Sequence, residues 1–130
     1  MKRLKRQDIF LTLIFTMIFV FAFTSIGDAG IGPINFPPEC DAGPDQIVEC
    51  QGSTTTLSLD GTASSDPDGD PLSFSWTTGC PGGSFDDATS AMPNLTVDTS
   101  SAVVCINTLN IEDGNGGSCT DSAVVLVETK

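Results

Sequence analysis

The chain has no histidine and no tyrosine, one tryptophan, and only five lysines and arginines among 130 residues. Each scarcity excludes something. Without histidine, the usual general base near neutral pH and the usual imidazole metal ligand are both missing. Five cysteines are present, but none stands in a Cys-x-x-Cys spacing, so zinc is not suggested. Serines are plentiful, yet there is no Gly-x-Ser-x-Gly elbow and no histidine to activate one. Asp86 and Asp87 are sequence neighbours, whereas glycosidase carboxylates must flank a cleft. Asp60-Gly61-Thr62 is not the Asp-Thr-Gly of aspartic proteases. The chain therefore reads as a non-enzyme. Sugar binding is disfavoured as well. Stacking platforms need exposed aromatics, and beyond the first 29 residues only Phe36 and Phe85 remain once Phe74 and Trp76 are assigned to the core.

The few cations are placed unevenly. Lys2, Arg3, Lys5 and Arg6 form a basic head, and the only other one is Lys130. An apolar run follows over 9–23, then small residues and Gly27-Asp28-Ala29. This is the layout of a secretory signal peptide, with a cut expected after Ala29. The alternative is an uncleaved anchor, although the run is shorter than the ~20 residues of a spanning helix. Such a segment is the only membrane attachment the sequence offers. From Gly30 onward, 15 acids face Lys130 alone, a net of −14. That surface repels nucleic acid and anionic membrane. It suits soluble extracellular modules and cation binders. The expected location is secreted or cell surface, extracellular or periplasmic. Export makes disulfides the default for the five cysteines, and an odd count leaves at least one free or bridging chains.

Residues 30–39 are rich in Gly and Pro and read as a linker or a loosely docked arm before a domain over 40–130. From Cys40 on, short β-type runs alternate with turn clusters, without helical period. Strands are expected at 46–49, 54–60, 72–77, 94–97, 103–111 and 123–128, with a short one near Phe85. Alternation turns Leu57 and Leu59 to one face, and Leu72, Phe74 and Trp76 to the interior. With Leu95, Leu109, Ile111, Val125 and Val127 they make a small core. Six or seven strands in this length argue a two-sheet sandwich. Asn94-Leu95-Thr96 is a glycosylation sequon, relevant only in a eukaryotic secretory path.

Three segments carry a family resemblance. They are Asp41-Ala42-Gly43-Pro44-Asp45-Gln46, the stretch from Leu59-Asp60-Gly61-Thr62 through Ser65-Asp66-Pro67-Asp68-Gly69-Asp70-Pro71 to Phe74-Ser75-Trp76, and Asn110-Ile111-Glu112-Asp113-Gly114-Asn115-Gly116-Gly117. Together they resemble the PKD (polycystic kidney disease) domain family and its bacterial PKD-like relatives. The resemblance implies an all-β, immunoglobulin-like sandwich of two antiparallel sheets. It implies extracellular binding, adhesion or spacer roles rather than catalysis. Such modules often accompany secreted hydrolases.

The last two strands depart from the family pattern. If Leu109, Ile111, Val125 and Val127 face inward, then Val104, Ile106, Val124 and Leu126 form one outer apolar patch. Asn107 then points inward, where it needs a hydrogen-bond partner. A register bulge near Thr108 is the equal alternative.

The topology implied by the resemblance gathers Asp41, Asp66, Asp68, Asp70 and Asp113 at one loop end. Some bacterial PKD-like domains bind Ca²⁺ there, and hard oxygen donors suit that ion. The spacing is not an EF-hand: with Asp66 as first, the sixth place is Pro71 and the twelfth Thr77. The same string also suits a plain solvated turn. That topology further points to Cys40–Cys119 and Cys80–Cys105, with Cys50 odd and Cys50–Cys105 as competitor. The resulting expectation is a secreted interaction or structural module with a protein partner or self-association. The rival is a Ca²⁺-stiffened spacer serving a separate secreted hydrolase.

Overall fold

The computed structural model describes residues 32, 34–50 and 52–128. The expected signal segment over 1–29 and Lys130 lie outside them. Seven strands follow in order: β1 (Gln46–Glu49), β2 (Thr54–Ser58), β3 (Ser73–Thr78), β4 (Ser84–Phe85), β5 (Asn94–Asp98), β6 (Val103–Glu112) and β7 (Ser118–Glu128). One sheet has the order β1-β7-β6-β3 and the other β2-β5-β4. No helix occurs among the described residues.

Each strand follows from period-two alternation. In β5, Leu95 and Val97 are buried while Asn94 and Asp98 are exposed. In β6, Cys105, Asn107, Leu109 and Ile111 are buried in turn. Facing residues of the two sheets make a single core: Leu57, Leu95 and Val97 from one, with Trp76, Leu109, Ile111, Val125 and Val127 from the other. Leu59 lies just past β2 and is fully buried with them. Trp76 is buried, and its indole N–H donates to Ser90 O at 3.1 Å, so its polar edge is satisfied. Leu72 and Phe74 pack on this core only partly buried, because Leu72 precedes β3 and Phe74 sits toward the sheet's end.

Three expectations need correction. The four-stranded sheet is mixed, not antiparallel: β1 pairs with β7 in parallel, Gln46 opposite Val125 through Glu49 opposite Glu128. Both strands start from the end tied by a Cys40–Cys119 bridge, so they run in the same direction. β7 begins at Ser118 rather than near 123, because Glu112 pairs with Ser118 and leaves only 113–117 as the turn. Asn35–Glu39 is bonded to the domain rather than loosely attached. Phe36 N–H donates to Asp68, and Glu39 and Ser65 exchange backbone bonds. The compact unit accordingly starts at Asn35.

The choice between patch and bulge is decided. β6 and β7 pair without interruption from Val103 opposite Val127 to Glu112 opposite Ser118. Asn107 is therefore carried inside with no exposure. Its amide donates to Ala123 O at 3.5 Å, a weak bond.

Candidate functional site

Two regions carry distinctive chemistry. The first is the loop end formed by the β2–β3 loop, the β6–β7 turn and the segment before β1. Asp66-Pro67-Asp68-Gly69 is a turn closed by Gly69 N–H to Asp66 O at 3.2 Å. Gly69 takes a φ of 79°, which favours glycine. Asp66 Oδ1 accepts from the N–H groups of Asp68 at 2.8 Å and Asp70 at 3.2 Å. This arrangement turns the three carboxylates of Asp66, Asp68 and Asp70 toward one point, with a ligand oxygen of each within 4.8 Å of the others. One oxygen of Asp68 accepts from Phe36 N–H at 2.6 Å, and one of Asp70 from the Asn115 amide at 2.8 Å. Asp66 Oδ2 is buried and, among the described residues, has no hydrogen-bond partner.

Asp41 and Asp113 stand outside this cluster. The Asp41 carboxylate caps its own turn, accepting from Gly43 N–H at 2.8 Å. Asp113 is 2% exposed and organises the β6–β7 turn. Its Oδ1 accepts from Asn115 N–H at 2.7 Å and Gly117 N–H at 2.9 Å, and its Oδ2 from the Asn35 amide at 2.8 Å. The Asn35 bond, more than the turn's own N–H groups, holds the Asp113 carboxyl below the usual carboxylate range against the opposing effect of burial. Gly117 permits this packing: a Cβ there would run into the Asp113 carboxylate and come within 2.8 Å of Pro37 Cα.

A buried carboxylate oxygen without a donor carries a desolvation cost that a cation would offset. The Asp66, Asp68 and Asp70 donor set, all hard oxygens, can hold a metal ion.

Two disulfides brace the domain. Cys40–Cys119 lies at the acidic loop end, with Cα atoms 5.7 Å apart. Cys80–Cys105 ties the end of β3 to β6, at 4.8 Å. Cys50 is free and half-buried. The Cys80 sulfur also lies 3.7 Å from Asn107 Oδ1.

The second region is the outer face of β1, β7 and β6. Val104 is 65% exposed and Ile106 56%, while Val124 and Leu126 are half-buried. Val104 pairs with Leu126 and Ile106 with Val124. Ile47, 69% exposed, lies beside Leu126 and widens the patch to three strands. Past it, the same face becomes polar, with Thr77, Thr108 and Ser122 in one row and Ser75, Asn110 and Thr120 in the next.

Sequence reasoning did not single out Ile47, Asn35 or Asn115. Alternation in Gln46-Ile47-Val48-Glu49 does turn Ile47 away from Val48. It joins the patch only through the parallel pairing with β7. Asn35 reaches Asp113 across 78 residues, and no local pattern signals such a bond. The sequon asparagine Asn94 gives its amide to Asp86 at 2.7 Å and its N–H to the same carboxylate at 2.8 Å. These bonds, the amide's first, lower the Asp86 pKa.

No protein-family model and no curated protein sequence matches the chain. Solved structures similar to it include the following two. One is the PKD domain from KIAA 1837 protein, 27% identical with a TM-score of 0.55, matched over 76% of this chain and 94% of that domain. The other is a nucleoside hydrolase-related hypothetical protein from Saccharophagus degradans associated with carbohydrate metabolism. It is 22% identical with a TM-score of 0.55, matched over 74% of this chain. This chain spans only 26% of that protein's length. The fold is PKD-like.

Proposed function

We propose that this protein is a secreted, non-enzymatic interaction module that engages a protein partner through the outer face of β1, β7 and β6. One observation carries the reading: aliphatic side chains on three adjacent strands form a continuous exposed patch centred on the Val104–Leu126 and Ile106–Val124 pairs. Contiguous apolar surface of this kind marks interaction sites on soluble proteins. The PKD-like fold and the pair of disulfides are compatible with an extracellular setting. The test is retention of the exported chain on the surface of the cells that produce it. The Val104→Ser/Ile106→Ser variant should bind at least tenfold less than wild type at an unchanged melting temperature. Equal retention would move the contact elsewhere on the molecule.

A second reading is favoured by the orphaned Asp66 oxygen: a Ca²⁺-stiffened spacer or accessory module for a separate secreted hydrolase. Asp66, Asp68 and Asp70 would hold the ion, and bound Ca²⁺ would supply the missing electrostatic partner for Asp66 Oδ2. Stiffening follows because the same loop is tied to the Phe36 backbone and to Asn115. The occurrence of the fold as a quarter of a longer, carbohydrate-associated protein accords with a spacer role.

A further inference from the structure

We infer that Cys80–Cys105 is a reversible redox site, a bridge that an external dithiol opens without unfolding the domain, and that Asn107 favours the opened form. The inference rests on what surrounds the two sulfurs. Cys80 Sγ lies 3.7 Å from Asn107 Oδ1, and Cys105 Sγ lies 3.7 Å from Val125 O. Cys80, Cys105 and Asn107 are all buried, Asn107 with no exposure. A disulfide sulfur carries no hydrogen, so neither contact is a hydrogen bond while the bridge is closed. The Asn107 amide donates to Ala123 O at 3.5 Å, but among the described residues its Oδ1 faces only the sulfur. A buried acceptor without a donor costs stability. A thiol S–H is a weak donor. Opening the bridge therefore sets an S–H against each oxygen and satisfies the Asn107 oxygen that the closed form leaves unmet. This accounts for a polar side chain carried into the core at that position.

The fold holds both cysteines without the bridge. Cys105 lies inside the unbroken β6–β7 ladder, opposite Val125. Cys80 N–H donates to Thr78 Oγ1 at 3.1 Å, Cys80 O accepts from Gly83 N–H at 2.9 Å, and Gly79 N–H donates to Ile106 O at 2.9 Å. Pro81 and Gly82, next to Cys80, are exposed and give a reductant its approach. Opening is thiol–disulfide exchange. A thiolate of the external dithiol attacks Cys80 Sγ, the Cys80–Cys105 bond breaks, and Cys105 leaves as a thiolate that takes up a proton. The reagent's second thiolate then attacks the reagent sulfur of the mixed disulfide and releases Cys80, which is protonated in turn. The cysteine pair gains two electrons and two protons, and the dithiol becomes a disulfide. Cys50 is not the resolving thiol. Cys105 pairs with Val125 and Val125 with Gln46, four residues of strand before Cys50, roughly 13 Å away along β1. A bridge that needs Cα atoms within ~7 Å does not form across that gap.

The experiment equilibrates the full chain, purified with its disulfides formed, against mixtures of reduced and oxidised dithiothreitol at pH 7. Free thiols are trapped with iodoacetamide and assigned by peptide mapping. Cys80 and Cys105 should be trapped together at a reduced-to-oxidised ratio that leaves Cys40–Cys119 closed. The near-ultraviolet circular dichroism of the buried Trp76 should not change as they open. Asn107→Leu removes the acceptor at similar volume. It should raise the ratio needed to open Cys80–Cys105 by about threefold or more and leave that of Cys40–Cys119 where it was. At the ratio that opens only Cys80–Cys105, the reduced-minus-oxidised Raman spectrum of the wild type should show an S–H stretch below that of an unbonded thiol, and Asn107→Leu should move it up. An unchanged ratio in Asn107→Leu overturns the inference, as does an equal shift of both bridges, which would mean an effect on global stability alone. Loss of the Trp76 signal on opening, or opening only together with Cys40–Cys119, overturns it as well. Should the leucine variant not fold, the wild type still decides, because an S–H stretch at the unbonded position removes the role given to Asn107.

Discussion

Asp66 sets the acidic loop with one carboxylate oxygen and leaves the other buried and unpartnered. Its first oxygen does what an Asp-Pro-Asp-Gly turn ordinarily asks, and that much is legible from the sequence. Its second is what a turn alone does not explain. Millimolar Ca²⁺ should therefore raise the melting temperature, and Asp68→Ala should abolish the rise. No shift up to about 10 mM, beyond the weak end for extracellular sites, contradicts a calcium role. Asp113 behaves differently. Its pKa lies below the ordinary 3.8, chiefly through the Asn35 amide. A depressed carboxyl contributes stability that is fully present above 3.8 and lost as pH falls through the lower native value. Asp113→Asn should lower the melting temperature at pH 7, and the gap to wild type should close as pH falls below 3.8. A gap that stays constant over that range contradicts the assignment. Asp113 stood out in the sequence as a candidate ligand, but its role as the organiser of a turn did not. The Asn35 donor lies in a segment that composition marks only as linker.

The β6–β7 hairpin is the element on which most of the structure turns. Its alternation was readable, down to Leu109, Ile111, Val125 and Val127 facing inward. What alternation alone could not decide was whether Asn107 enters the core or a bulge expels it. The unbroken ladder, without a bulge from Val103 to Glu112, places Asn107 inside. The same ladder turns Val104 and Ile106 outward. The parallel pairing of β1 was not legible, because four residues of alternating burial look alike in either direction. The disulfides act on the element scale too. Cys40–Cys119 closes a separation of 79 residues and Cys80–Cys105 one of 25. Chain entropy puts their contributions at about 4.5 and about 3.5 kcal/mol. Cys40→Ser/Cys119→Ser should therefore lower denaturant stability more than Cys80→Ser/Cys105→Ser. The reverse order would mean that local packing around Cys80 and Cys105, beside Asn107, outweighs loop length.

At the scale of the whole molecule, the acidic loop end and the aliphatic patch are distinct regions. The loop end concentrates carboxylates, and one half of a sheet face concentrates exposed aliphatics. The sequence declared the first through a recognisable acidic motif. It declared the second only indirectly, through a departure from that motif's family pattern, and its extension onto β1 needed the three-dimensional pairing. The separation makes the use of the aliphatic face directly measurable. A photo-crosslinking residue would replace Ile106 in the exported chain. A second chain would carry it at Thr56, exposed on the outer face of the other sheet. Both would be illuminated on the producing cells. A discrete adduct from position 106 and none from 56 is the expected result. Adducts from 56 alone, or from neither position, would contradict a partner seated on β1, β7 and β6.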